Sequence, residues 1–337
     1  MLFSICIPSY NRPVELLRLL QSIDMRDSRR VEIIICEDHS PKRLAIRDIV
    51  NNFQKNSEYK VRYIENEKNY GYDRNLRELL HYAQGEFVVF MGDDDAFAAG
   101  GLDKMADFIE KNKSHDLGYI LKTHLLIHDN QGTEVFRYFP ESKIFSPGED
   151  ACHLLLRRSV FISGFIIRRK YALDYMTEIF DGTLLYQLYL LAEVVMKYPS
   201  AYYDQPLTMQ YKEGIPLFGS SESEKKLYDP GVISIKNSLN FMSGFFKISE
   251  YMDDKYSMHL TQHLRREISK YSYPVLSIQR GHGRTHFRQY TRQLGQLRIN
   301  GTIYYYIYWL ALYIFGVRIC DHIIFKVKKI IGYTPQL

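Results

Sequence analysis

The chain has 337 residues, 46% hydrophobic and 25% charged, a globular composition that excludes a disordered chain and allows roughly two domains. Its net charge of +5 is unevenly spread: residues 262–337 carry twelve Lys or Arg against only two acids, Glu267 and Asp321, and the rest carries 32 against 37. Four cysteines (Cys6, Cys36, Cys152, Cys320) without CxxC spacing indicate neither a zinc site nor a disulfide framework, and the opening MLFSICIPSYN lacks the basic start of a signal peptide.

The first hundred residues alternate strand and helix patterns. Residues 2–7 form an apolar run ended by Pro8, and 13–23 carry Val14, Leu16, Leu17, Leu19 and Leu20 as a helical stripe. Strands are predicted at 31–36, 61–64 and 85–91, with helices at 42–53 and 73–83. Strands joined by helices of about ten residues imply a parallel sheet covered on both faces, with ligands at the carboxyl ends of its strands. A further helix is expected after Gly101, strands at 117–128, 134–139 and 160–167 around a turn at 130–132, and helices at 170–179 and 184–197. Residues 213–226 read as a mobile loop, and everything from Gly231 onward as helical.

Unusual residues collect at the predicted strand ends. The first strand leads into Pro8-Ser9-Tyr10-Asn11-Arg12, the second into Glu37-Asp38-His39-Ser40, the third into Asn69-Tyr70-Gly71-Tyr72-Asp73-Arg74-Asn75, and the fourth into Asp93-Asp94-Asp95. A carboxylate after the second strand can accept hydrogen bonds from a nucleobase or ribose, and an arginine at a helix start can meet a diphosphate. Three adjacent aspartates call for a cation, and hard oxygen ligands suit Mg²⁺ or Mn²⁺. Together these point to transfer from a nucleotide diphosphate compound. The GxGxxG of a dinucleotide-binding dehydrogenase is absent, and an aspartyl phosphatase would need its DxD where this chain has PSYN.

The combination PSYNR, EDHS, NYGYDRN and GDDD resembles the family 2 glycosyltransferases, over residues 1–100 most closely. The resemblance implies an α/β fold of the GT-A type, a Rossmann-like nucleotide-diphospho-sugar transferase domain, with a mainly helical C-terminal region. It implies that Tyr10 packs on the base, that Asp38 binds it, that Arg74 lies near the diphosphate, and that Asp93 and Asp95 hold ribose and metal. Pro8, Arg12, Asn69 and Asp94 complete the expected nucleotide-sugar site, and Mn²⁺ or Mg²⁺ is the expected cofactor. The reaction implied is inverting displacement at the anomeric carbon by an acceptor hydroxyl that a carboxylate deprotonates. The acidic pair that usually supplies this base is replaced here by Tyr186-Gln187, so either Asp181 takes the role or the base lies elsewhere, with Glu178 and Glu193 as weaker candidates. Asp181-Gly182 also reads as an ordinary turn. The Gly182-Thr183-Leu184-Leu185-Tyr186-Gln187 stretch is similar to O-antigen and capsule sugar transferases such as the abequosyltransferases.

Residues 299–317 contain no charge and five tyrosines around Trp309, flanked by Arg284, Arg288, Arg292 and Arg298 before and Arg318, Lys326, Lys328 and Lys329 after. This pattern fits an amphipathic helix on an anionic membrane face; a spanning helix and a homo-oligomer interface through the C-terminal helices are the alternatives. Nucleic acid is not the expected partner. The expected organisation is a catalytic domain at 1–212, a lid at 213–230 and a membrane-associating helical region at 231–337. The expected function is transfer of a sugar to a lipid-linked saccharide in cell-surface polysaccharide synthesis, by a cytoplasmic enzyme peripheral on the inner membrane face. The alternative is a catalytically inactive membrane-associated binding or assembly protein of the same fold.

Overall fold

Apolar strands and one-sided helices alternate through the first half of the chain: β1 (Phe3–Ser9), α1 (Pro13–Gln21), β2 (Val31–Glu37), α2 (Arg43–Asn56), β3 (Lys60–Glu65), α3 (Tyr72–Tyr82), β4 (Phe87–Phe90), β5 (Ala96–Phe97) and α4 (Gly101–Lys111). The computed structural model describes residues 1–128, 132–211 and 217–331 and divides into two units, Met1–Val232 and Ile233–Leu337. The predicted turn at 130–132 falls largely outside the described residues, as do the start of the 213–226 loop and Tyr333.

The first unit continues with β6 (Tyr119–His128), β7 (Gly132–Phe136), β8 (Lys143–Phe145), α5 (Glu149–Leu155), β9 (Phe165–Arg168), α6 (Arg169–Leu173), α7 (Tyr186–Lys197) and β10 (Ser200–Tyr211). The sheet order is β3-β2-β1-β4-β9-β6-β10-β5, with β7 paired to β6 and β8 to β10. Strands β3, β2, β1 and β4 are mutually parallel, as the alternating pattern predicts. The sheet as a whole is mixed, because β9 runs antiparallel to both β4 and β6. The predicted helix at 170–179 is confined to 169–173, and β10 is a strand that the sequence pattern did not mark.

Side-chain alternation divides the core between the two sheet faces. Phe3, Ile5 and Ile7 of β1 and Ile33 and Ile35 of β2 pack with Leu16, Leu19 and Leu20 of α1 and Ile46 and Val50 of α2. Cys6 points the other way, its thiol donating to the Leu79 carbonyl of α3 at 3.7 Å. The free cysteines are all buried, in keeping with their reading as small apolar residues. Because β1, β2 and β4 are parallel and in register, the segments leaving Ser9, Glu37 and Phe90 emerge at one edge.

The second unit is helical: α8 (Ile235–Tyr256), α9 (Leu260–Lys270), α10 (Tyr273–Gly281), α11 (Arg284–Gln296) and α12 (Ile303–Ile331). Ser234 caps α8 by accepting from the Asn237 amide, and Asp253 caps α9 by accepting from the Leu260 and Thr261 amides at 2.6 and 3.1 Å. Helix α12 breaks at Gly316, where φ is +77°. The Leu312 carbonyl, whose helical partner would be the Gly316 amide, accepts from Arg280 Nε at 3.0 Å.

Candidate active site

The carboxyl edge of β1–β4 encloses a cleft of about 270 Å³ lined by Pro8, Ser9, Tyr10, Arg12, Asp38, Asn69, Gly71, Tyr72, Asn75, Gly92, Asp93, Asp94, Ile162, Leu217, Phe218 and Glu224. Pro8, Tyr10, Arg12, Asp38, Asn69, Asp93 and Asp94 of the predicted set thus meet in one place. Arg74, Asp95 and Asp181 do not line the cleft.

The floor is built by cross-loop bonds. The Tyr10 amide donates to Asp93 Oδ2 at 3.0 Å, and Arg12 Nη1 lies 3.1 Å from Asp93 Oδ1 and 2.7 Å from Asp94 Oδ2. Burial, with Asp94 as the nearest like charge, pushes the Asp93 carboxyl up to about 7 against the pull of Arg12. Asp38 accepts from Asn66 Nδ2, the Tyr70 amide and the Gly71 amide, each at 2.8 Å. Burial outweighs these donors and raises its carboxyl to about 6. With two bonds on Oδ1 and one on Oδ2, the ionised carboxylate keeps one acceptor site, on Oδ2, for a further donor.

Asp95 stands apart from its two neighbours. It is 4% exposed, accepts from the Ser163 hydroxyl, and accepts from the Tyr211 amide at 3.1 Å. Of the three aspartates, Asp93 and Asp94 line the cleft and Asp95 does not. Arg74 lies over the Tyr70 ring at 3.7 Å, with Glu78 at 3.6 Å, instead of facing the cleft.

Asp181 is also placed differently from its expected role. Both of its carboxylate oxygens accept from Arg77, so the residue clamps the turn before α7 to α3. The turn reading of Asp181-Gly182 holds, since Gly182 has a φ of +83°. Gln187 is buried with its Nε2 toward the Val160 carbonyl at 3.4 Å, and Glu193 is fully buried.

Three residues important to the site had no role in the sequence reading. Asp73 accepts from the Leu184 and Tyr186 amides at 2.9 and 3.0 Å, holding the start of α7. Arg77 makes the clamp just described. Glu224 accepts from the Tyr72 amide at the start of α3 and from the Gly219 amide, both at 2.8 Å. The described part of the expected lid is thereby pinned over the cleft, and Tyr228 adds a hydroxyl bond to the Thr183 carbonyl at 3.2 Å. The partners of Asp73 and Arg77, and the Tyr72 partner of Glu224, lie more than a hundred residues away, so no local motif could mark these contacts.

Gly71 lies directly against this clamp. Its φ is +85°, and a Cβ there would stand 2.4 Å from Ser221 Oγ and 2.8 Å from Glu224 Oε1. Gly71→Ala is expected to cost about 1–3 kcal/mol and to free the 217–228 segment. Limited proteolysis should show faster cleavage there than in the native chain, and unchanged cleavage would contradict the clamp.

Residues 4–171 match the family described as Glycosyl transferase family 2. This region belongs to that family. Its relatives include the GalNAc(5)-diNAcBac-PP-undecaprenol beta-1,3-glucosyltransferase of Campylobacter jejuni, 32% identical over 35% of this chain and 38% of that protein. The Abequosyltransferase RfbV of Salmonella typhimurium is 30% identical over 33% of each chain. The matches thus span little more than a third of these relatives. Among solved structures, S. aureus TarS in complex with UDP-GlcNAc is similar at a TM-score of 0.55 and 18% identity, over 85% of this chain and 74% of that one. This likeness shows the fold: a GT-A-type domain followed by a helical region.

Proposed function

We propose that the chain is a glycosyltransferase that moves a sugar from a nucleoside diphosphate sugar to a lipid-linked saccharide, with inversion and with a divalent cation. The reading places it in cell-surface polysaccharide synthesis, peripheral on the cytoplasmic face of the membrane. The observation that carries it is the convergence of Tyr10, Asp38, Asn69, Asp93 and Asp94 at the carboxyl edge of four parallel strands. The relatives' names, one acting on a PP-undecaprenol-linked saccharide and one transferring abequose, support the acceptor class and the pathway.

In this reading the Tyr10 ring stacks on the base and Asp38 accepts from its edge. Arg12 neutralises Asp93 and Asp94 in the free protein. The donor set fits a hard divalent ion, because two carboxylates meet at the cleft floor where the nearest cation is a displaceable guanidinium. Among the described residues no three His, Cys, Asp or Glu side chains form a closed metal cage, which suits an ion completed by substrate phosphate and water. Asp93 and Asp94 would hold Mn²⁺ or Mg²⁺, which would supply charge neutralisation of the diphosphate leaving group. Leu217 and Phe218 cover the cleft and limit water at the anomeric carbon.

A second reading, a catalytically inactive binding protein, is favoured by Tyr186-Gln187 standing where the family resemblance implies an acidic pair. One experiment separates the two. Thermal unfolding with UDP-, GDP-, CDP- and dTDP-sugars and Mn²⁺ should show a rise for one nucleotide class, lost in Asp94→Ala, and the stabilising donor should release its nucleoside diphosphate when acceptor lipid is added. Stabilisation without turnover supports the inactive reading. No ligand-dependent rise in the native protein contradicts both.

Membrane attachment is assigned to the second unit. Ile303–Ile324 is long and apolar enough to cross a bilayer by length and composition, with a mean hydropathy of 1.5. The break at Gly316 would leave backbone groups unpaired in hydrocarbon, which favours a surface position over a spanning one.

A further inference from the structure

Helices α11 and α12 enclose a groove of about 340 Å³ lined chiefly by Arg288, Thr291, Arg292, Asn300, Tyr306 and Trp309. We infer that this groove binds the phosphate of anionic phospholipid headgroups while the adjoining face of α12 enters the acyl region. The inference deepens the membrane placement proposed above and rests on it.

Charge and geometry both point to phosphate. Arg284, Arg288 and Arg292 recur every four residues, so they form one ladder along α11. The guanidinium groups of Arg284 and Arg288 lie 5.6 and 5.1 Å from the centre of the Tyr313 ring, and Arg288 also donates to the Tyr313 hydroxyl. Tyr313 is stacked on Trp309 at 5.2 Å with the rings 3° from parallel, and Trp309 Nε1 donates to Thr291 Oγ1 at 3.3 Å. The aromatic pair therefore preorganises two planar cations. Among the described residues none of these three arginines forms an ion pair, so the ladder's charge is left for an external anion. Guanidinium forks held against rings suit a tetrahedral oxyanion better than flexible ammonium groups do.

The apolar neighbour selects a lipid over a free anion or nucleic acid. Ile303, Ile307, Leu310 and Ile314 are 68%, 53%, 52% and 52% exposed and recur at helical spacing. At 100° per residue their stripe lies beside the face that presents Tyr306, Trp309 and Tyr313. Phosphate contacts and an aliphatic face side by side match the boundary between headgroups and acyl chains, where tyrosine and tryptophan also partition.

The test is co-sedimentation of the full chain with phosphatidylcholine vesicles and with vesicles that also contain phosphatidylglycerol. The native chain should bind the anionic vesicles. Arg288→Gln combined with Arg292→Gln should weaken binding about 30-fold, roughly fivefold per arginine. Lysine at the same two positions should restore only part of it, since charge is kept but the planar forks, including the Arg288 fork held against Tyr313, are lost. Ile307→Asp, on an exposed position that folding does not require, should weaken binding to both vesicle types. Nucleotide-sugar stabilisation should be unchanged in all these variants, which separates failure of this inference from failure of the transferase reading. Equal binding to both vesicle types by the native chain, full binding by the glutamine or lysine pairs, or binding that requires a prenyl diphosphate in place of phosphatidylglycerol would overturn it.

Discussion

Asp73→Ala should destabilise the first unit by about 2–4 kcal/mol near pH 6, lowering its unfolding midpoint by roughly 6–12 °C. The carboxyl is 2% exposed and accepts both the Leu184 and Tyr186 amides. Removing it leaves two buried donors without partners and releases Leu184 from a left-handed φ of +61°, so the first turn of α7 should fray. The penalty should depend on pH with a definite sign. Burial raises the Asp73 carboxyl from an ordinary 3.8 to about 7, against the pull of the two amides. Between those values the folded chain holds a proton that the unfolded chain has released, so this contribution is full below about 4 and lost as pH rises through about 7. The gap between native and Asp73→Ala should therefore be wider at pH 6 than at pH 8 when thermal unfolding is followed by circular dichroism. A gap that widens toward pH 8 would refute the assignment.

Legibility in the sequence followed the range of the interactions. Strands β1 to β4 and helices α1 to α3 were readable because each declares itself within a dozen residues, by apolar period and by Pro8 or Gly92 at its end. The cleft was readable for the same reason: parallel strands must deliver their following loops to one edge, whatever lies elsewhere. The second half obeyed no such local rule. In β10 the register against β6 shifts on both sides of Pro206, and a proline in an irregular aromatic stretch hides a strand that lies deep in the sheet. The antiparallel β9 turned an expected parallel sheet into a mixed one, a pairing choice decided by tertiary context.

Individual site residues divide along the same line. Asp38 and Asp93 were legible from position alone. Arg74 and Arg77 sit three residues apart on α3, and nothing local distinguishes which one reaches Asp181, a partner 104 residues from Arg77. The three aspartates after β4 illustrate the limit most directly. Sequence shows that they must be neutralised but not how the turn deals them out, and the Ser163 and Tyr211 contacts that withdraw Asp95 come from distant segments. The charge asymmetry was readable directly, and the basic excess from 262 onward falls within the second unit, where the arginine ladder of α11 stands.

Asp93→Asn should lower kcat/KM for sugar transfer by about 10²–10⁴ with a smaller loss of thermal stability, the largest effect on activity expected from one isosteric change. Asp93 ties the loop that carries Tyr10 to the cleft floor, through the Tyr10 amide at 3.0 Å and Arg12 at 3.1 Å. Each charge-assisted bond is worth about 1.5–3 kcal/mol, and losing the charge weakens both at once. The asparagine oxygen can still accept from the Tyr10 amide, but its amide group then faces the Arg12 guanidinium, so the Arg12 bond to this residue is lost while the pair with Asp94 stays. Tyr10 should lose its fixed position, and the carboxylate pair offered to a divalent ion should be reduced to one. Asp95→Asn provides the contrast. Its carboxylate is committed to Ser163 and Tyr211 beneath the site, so the variant should lose stability while keeping most of its Mn²⁺-dependent stabilisation by donor. Steady-state kinetics of both variants, with Mn²⁺-dependent thermal shifts alongside, decide the matter. If Asp95→Asn abolishes metal-dependent donor binding as completely as Asp93→Asn does, the cation is held by Asp93 with Asp95, and the assignment of Asp94 to the cleft floor fails.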